Sequence, residues 1–166
     1  MKTASRELKD LMLQKPRLTL AVAESLTAGH VQSRIAAVSG ASEFFLGGVT
    51  AYSLDQKVKH LGVNRAEARA VNCVSALVAE QMARGALKLF GSDLAVATTG
   101  YAEPSPKDGV EAPFAWWALA WRQKKGPPRL RHGCIECIGS KRVETQAIVA
   151  EAALAELIAW LREVRG

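Results

Sequence analysis

Apolar residues recur along this chain at two spacings, and the switches between them mark its elements. Leu8, Leu11 and Met12 stand at helical intervals, so residues 5–15 read as a short amphipathic helix stopped by Pro16. Residues 18–24, Leu-Thr-Leu-Ala-Val-Ala-Glu, are short and apolar with β-branched members, the pattern of a buried strand. A helix over 27–38 follows directly, with Val31 and Ile35 on one face, then a strand over 47–53 and a helix over 54–61. Ser75 is placed to cap a long helix that runs through Phe90 and ends at Gly91. Residues 93–99 form a third strand. Residues 100–113, rich in proline, glycine and charge, form a long loop of the kind that is usually functional or disordered.

Residues 114–121 and 129–138 make an antiparallel hairpin that places Trp116 and Trp117 on opposite faces. The last helix carries Val143, Ala147, Ala150, Leu154, Leu157, Leu161 and Val164 in steps of four and three, one continuous apolar face. Helices alternate with strands for two thirds of the chain, and a hairpin and a helix close it. That order predicts one three-layer α/β/α domain over 1–166, with a mixed, mostly parallel sheet of about five strands.

Composition adds a few exclusions. At 166 residues, 49% hydrophobic and 23% charged, the chain has the balance of an ordinary globular domain. A net charge of +6 is modest, and the basic residues are scattered except for Arg122, Lys124, Lys125, Arg129 and Arg131 around the hairpin. Nucleic-acid binding calls for a clustered basic face, so no nucleic-acid partner is expected, and a basic pocket for a small anion accounts for the balance equally well. No apolar run nears the ~20 residues of a membrane span, and the first fifteen residues lack the apolar core of a signal peptide. A cytoplasmic protein without a membrane partner is expected, and the apolar last helix offers a self-interface for a homo-oligomer. Cys134 and Cys137 spell CxxC in a strand context, where the odd spacing sends the thiols to opposite faces. They read as core cysteines rather than as a redox pair or zinc ligands.

Three stretches could carry chemistry. Ala23-Glu-Ser-Leu-Thr-Ala-Gly29 lies at a strand-to-helix junction, where free backbone N–H groups suit a phosphate or carboxylate. Ser25, Thr27 and Gly29 are its candidate binding residues, against the plainer role of helix capping. In the second stretch, Ser42 precedes Phe44-Phe45, and Tyr52 and Lys57 follow the next strand. A serine becomes a nucleophile when a base takes its proton, and His30, His60 and His132 read as helix surface or strand edge. A buried lysine can be that base, and Lys57 could fold back towards Ser42 with Tyr52 between them. The alternative is a solvated Lys57 and a turn-capping Ser42. Third, Thr99 and Gly100 end a strand at the position where open α/β sheets bind ligands, or form a plain glycine-assisted strand exit.

These same stretches resemble the CinA C-terminal family, the competence- and damage-inducible proteins, whose members include nicotinamide mononucleotide (NMN) amidases. Members read A-E-S-C-T-G-G where this chain reads Ala23 to Gly29, and G-S-S before an aromatic pair where it has Gly40-Ala-Ser42 before Phe44-Phe45. They continue G-G-V/F-x-x-Y-S-N-x-x-K where it has Gly47 to Lys57 with Leu54 in place of Asn. The resemblance implies hydrolysis of NMN, or a related amide, to the acid and ammonia, with a small-molecule partner and neither metal nor cofactor. It carries the catalytic serine and lysine onto Ser42 and Lys57 with Tyr52 beside them, and supporting roles onto Ser25 and Thr99. A catalytically silent paralogue that binds a nucleotide-like ligand or a protein is the alternative.

One departure from the family pattern concerns the ligand loop. Members carry a glycine-rich G-I-A-G-P-G-G-G, whereas this chain has Gly100-Tyr-Ala-Glu-Pro-Ser-Pro-Lys-Asp-Gly109. Glu103 stands where a glycine would admit a ligand, and its charge would repel a phosphate, with Lys107 the nearest expected counter-charge. Before the last helix the family's basic pair is also altered: Lys141 and Arg142 are near, and Glu144 takes the second arginine's position.

Overall fold

The computed structural model describes residues 4–166, and its elements follow the hydrophobic pattern closely. In chain order they are α1 (Ala4–Leu13), β1 (Leu20–Glu24), α2 (His30–Ala36), β2 (Phe45–Thr50), α3 (Leu54–Leu61) and α4 (Arg65–Ala70). Then come α5 (Ala76–Phe90), β3 (Leu94–Tyr101), β4 (Phe114–Trp121), β5 (Arg129–Glu136) and α6 (Arg142–Arg165). Capping chemistry sets several boundaries. Ser75 accepts from the Val78 N–H at the start of α5, and Gly91, in the left-handed region, ends it.

The strands form one sheet in the order β2-β1-β3-β4-β5. β1 pairs parallel with β2 and β3, while β3–β4 and β4–β5 are antiparallel. The sheet is therefore evenly mixed rather than mostly parallel, because the hairpin contributes as many pairings as the crossovers do. The short α4, outside the sequence expectation, is set by Asn64, whose side chain accepts from the Glu67 N–H.

The two faces of the sheet are built differently. Leu20, Val22, Leu94, Val96 and Leu119 point to one side, where α1, α2 and α6 cover them with Leu8, Ile35, Leu157 and Leu161. Ala21, Ala23, Ala95, Ala97, Ala118 and Ala120 point to the other, against Ala79, Met82, Ala83 and Ala86 of α5. Small residues on both partners let α5 lie close to the sheet. Trp117 packs on the first side and Trp116 on the second, as the hairpin alternation requires. Much of the apolar face of α6, including Ala150, Leu157 and Leu161, is buried in the core, which leaves Val143, Ile148 and Val164 exposed.

The close approach of α5 extends to α3. A Cβ on Gly85 would lie 2.1 Å from the carbonyl oxygen of Leu61, the last residue of α3. Backbone cannot move aside as a flexible side chain would. Gly85→Ala is therefore expected to lower unfolding free energy by about 2–3 kcal/mol, read by thermal or denaturant unfolding. A change under about 0.5 kcal/mol would show that α3 is free to shift.

Candidate active site

The parallel strands β1, β2 and β3 deliver their carboxyl ends to one edge of the sheet, where ligands bind in open α/β folds. Ser25 follows β1 directly and is buried. After β2, Ser53 caps α3 by accepting from the Gln56 N–H at 3.3 Å, which sets Lys57 one turn into the helix on its inward side. Lys57 is only 1% exposed. Its Nζ lies 2.8 Å from Ser25 Oγ and 2.9 Å from the carbonyl oxygen of Tyr52.

Burial pulls the Lys57 amine below the ordinary lysine value, and a weaker opposing pull comes from the nearby Cys73 thiol. The protonated amine donates to both oxygens. The neutral amine keeps its donation to the Tyr52 carbonyl and turns its lone pair to the Ser25 hydroxyl, which then donates to it. This is the geometry of a nucleophile and its base.

Around the pair is a cavity of about 390 Å³ whose lining includes Ser25, Tyr52, Lys57, Cys73, Thr99, Gly100, Glu103 and Arg142. Thr99, at the end of β3, donates its hydroxyl to the Cys73 carbonyl at 2.6 Å. That bond ties the strand to a turn in which Asn72 and Cys73 both adopt left-handed backbone, with φ of 49° and 63°. At the cavity mouth Arg142, the first residue of α6, donates to the Glu103 carboxylate and to the Tyr52 hydroxyl, each at 2.7 Å. Tyr52 thus holds Lys57 through its backbone and Arg142 through its ring.

The structure brings Ser25, Tyr52, Lys57, Thr99 and Gly100 together and leaves three of the expected site residues elsewhere. Ser42 does not approach Lys57. It lies exposed in a 3-10 turn (Ala41–Glu43) before β2, whereas Lys57 follows the other end of that strand. Six residues of extended chain, Phe45–Thr50, separate the two ends by roughly 16 Å at ~3.3 Å per residue. The turn bearing Ser42 lies instead by α1, where Lys9 pairs with Glu43 at 3.7 Å. The expected pairing of Ser42 with Lys57 is thereby corrected, and Ser25 stands in that position.

Thr27 is fully buried outside the cavity, its hydroxyl 2.7 Å from that of Thr98. Gly29, with φ of 98°, shapes the turn into α2, which begins at His30. The N-terminus of α2 is not open to a ligand either. The buried Glu24 carboxylate accepts from the N–H groups of Val31 at 2.9 Å and Gln32 at 3.1 Å. Glu24→Gln would replace one of those acceptors with a donor, and we expect a loss of about 1–3 kcal/mol by denaturant unfolding. An unchanged midpoint would mean that water serves these N–H groups.

Sequence reasoning missed Glu24, Asn72 and Cys73 as site-building residues, and named Lys107 as the counter-charge of Glu103. Lys107 is exposed on the far part of the loop, and Arg142 takes that role. Glu144 is engaged in capping, accepting from the Lys141 N–H at 2.9 Å. Cys134 and Cys137 are both free, and of the two expected in the core only Cys137 is buried. Cys134 is exposed on β5, which is an edge strand of the sheet, and Cys137 follows the end of that strand. No helix among the described residues is long and apolar enough to cross a membrane.

Fold and site together define a class: α/β/α domains that hold a buried serine–lysine pair in a cleft beyond the ends of parallel strands. The chain belongs to the CinA C-terminal domain family, whose model matches residues 2–161. It is 40% identical over 166 residues to a CinA-like protein of Chlorobium limicola, a match that covers 99% of this chain and 38% of that protein. A CinA-like protein of Chlorobaculum tepidum is 47% identical over 95 residues, 57% of this chain and 22% of the relative. The chain thus spans well under half the length of these curated relatives. Among solved structures, a competence damage-inducible protein A from Klebsiella pneumoniae superimposes with a TM-score of 0.84 at 27% identity, covering 96% of this chain and 95% of that one. A competence/damage inducible protein from Agrobacterium tumefaciens gives 0.81 at 28% identity, covering 96% and 93%.

Proposed function

We propose that this domain is an amidohydrolase acting on a nicotinamide-type amide, NMN or a close relative, with Ser25 as nucleophile and Lys57 as its base. The observation that carries the reading is the 2.8 Å contact between a buried lysine amine and a buried serine hydroxyl at the wall of a cavity. Burial favours the neutral amine that such a base requires.

In this reaction neutral Lys57 takes the Ser25 proton as Oγ attacks the amide carbon. The ammonium so formed returns a proton to the leaving nitrogen, the carbon–nitrogen bond breaks, and ammonia departs from an ester on Ser25. Water then attacks that ester, Lys57 accepts a proton from it, and collapse frees the acid and restores the serine hydroxyl. Amide and water are the only reactants needed. Thr99 and Tyr52 act as positioning residues, through the Cys73 turn and the Lys57 amine respectively. A small nucleotide-derived amide fits a cytoplasmic setting.

The test is ammonia release from NMN and nicotinamide riboside by the purified protein, with Ser25→Ala as control. Release from either substrate that disappears in the variant supports the reading. Binding without release by the wild-type protein favours the alternative of a silent, ligand-binding relative.

A further inference from the structure

We propose that Glu103 selects the substrate, occupying Arg142 so that the cavity takes amides without a phosphate and excludes those that carry one. The inference rests on the amidase reading for the identity of the reacting end, and it concerns the opposite end of the same cavity.

Among the described residues, three charged side chains line this cavity: Lys57, Arg142 and Glu103. Lys57 is buried at the reacting end beside Ser25 and is neutral when it acts as a base. The remaining cation, Arg142, is held on two sides. One guanidinium nitrogen donates to Glu103 Oε1 at 2.7 Å, and the other donates to the Tyr52 hydroxyl at 2.7 Å. With the base neutral, the formal charges on the wall cancel.

An incoming phosphate would meet a carboxylate already seated on Arg142, the one permanent cation among the described residues lining the cavity. It would have either to displace that carboxylate or to bind within a few ångströms of it, and like charges so placed oppose binding. A ligand that ends in hydroxyl groups meets no such opposition. Tyr52, Tyr101 and Asn72 at the wall offer it neutral donors and acceptors, two of them already paired by the Asn72–Tyr101 hydrogen bond at 2.9 Å. The structure therefore fits a nucleoside-level amide better than a nucleotide-level one.

The Glu103–Arg142 pair is partly exposed, with side chains 58% and 44% accessible, so solvent screens it and the discrimination is finite. Removal of the carboxylate charge should move selectivity by about tenfold or somewhat more.

The experiment compares two substrates that differ by one phosphate, nicotinamide riboside and NMN. Ammonia release gives kcat/KM for each, and calorimetry gives Kd for each, with wild-type protein, Glu103→Gln and Glu103→Gly. We expect the wild type to favour the riboside, and both variants to shift the NMN-to-riboside ratio towards NMN by about tenfold or more at low salt, less at high salt. A wild type that favours NMN, or a ratio unmoved in both variants, overturns the proposal. If neither ligand releases ammonia but the Kd ratio shifts as stated, the amidase reading fails and the selection by Glu103 stands. If neither ligand binds wild type or variant, both fail.

Discussion

Ser25→Ala is expected to lower kcat/KM for ammonia release by roughly 10³-fold or more, while Ser42→Ala changes it by less than about twofold. Ser25 Oγ is the hydroxyl in contact with the Lys57 amine, and no other hydroxyl in the cavity is bonded to that nitrogen among the described residues. Without it no ester can form, and what survives is water attack assisted by positioning alone. Ser42 is exposed beyond the opposite end of β2, so its hydroxyl can be lost without consequence for the cavity. The two variants should have circular dichroism spectra and unfolding midpoints close to wild type, which keeps the comparison about chemistry. An inactive Ser42→Ala beside an active Ser25→Ala would reverse the assignment.

The second large effect concerns pH. Lys57 accepts a proton only when neutral, so kcat/KM should rise as pH rises and level off once the amine is deprotonated. Burial lowers the amine from its ordinary value of 10.5, so the rise and plateau should come at lower pH than a solvated lysine would give. Lys57→Arg keeps a cation that cannot give up its proton in this range, and should cost roughly 10³-fold or more while abolishing the rising limb. A profile that falls across this region, or a Lys57→Arg enzyme that retains the limb, would show that another group supplies the base.

Much of this arrangement was legible from residue order. The strands were readable because Leu18 to Glu24 and Asp93 to Thr99 are too apolar and too short for anything but buried strands. The caps Ser75 and Gly91 fixed α5 almost to the residue. Lys57 and Tyr52 were readable as a candidate base and its neighbour beside a solvated alternative, and the Ser53 cap that turns Lys57 inward, which sequence reading did not use, settles the burial. Most of what failed was long-range. Ser42 precedes the second strand and Lys57 follows it, so chain order already set them at opposite ends, while Ser25 reaches the Lys57 end because β1 and β2 run parallel. Arg142 meets Glu103 across 39 positions of sequence, through a helix whose starting point depends on how α6 seats in the core. Glu24 looked like the polar end of a strand. Its burial follows from α2 turning back over it, which no local pattern encodes.

The unequal faces of the sheet bear on how variation in this domain would be felt. The side under α1, α2 and α6 is filled with leucine, isoleucine and valine, whose shapes can trade volume among neighbours. The side under α5 is built largely of alanine, on the sheet and at Ala79, Ala83 and Ala86 of the helix beside Val78 and Met82, and the close approach is continued by Gly85 to the end of α3. An added carbon at Gly85 meets backbone rather than a movable side chain and must lift a helix. Because α3 carries Lys57, that displacement would reach the 2.8 Å contact with Ser25 as a change in distance. The alanine layer acts as a gauge block between two machine parts: its thickness is inert chemically, and it sets the gap on which the reaction depends.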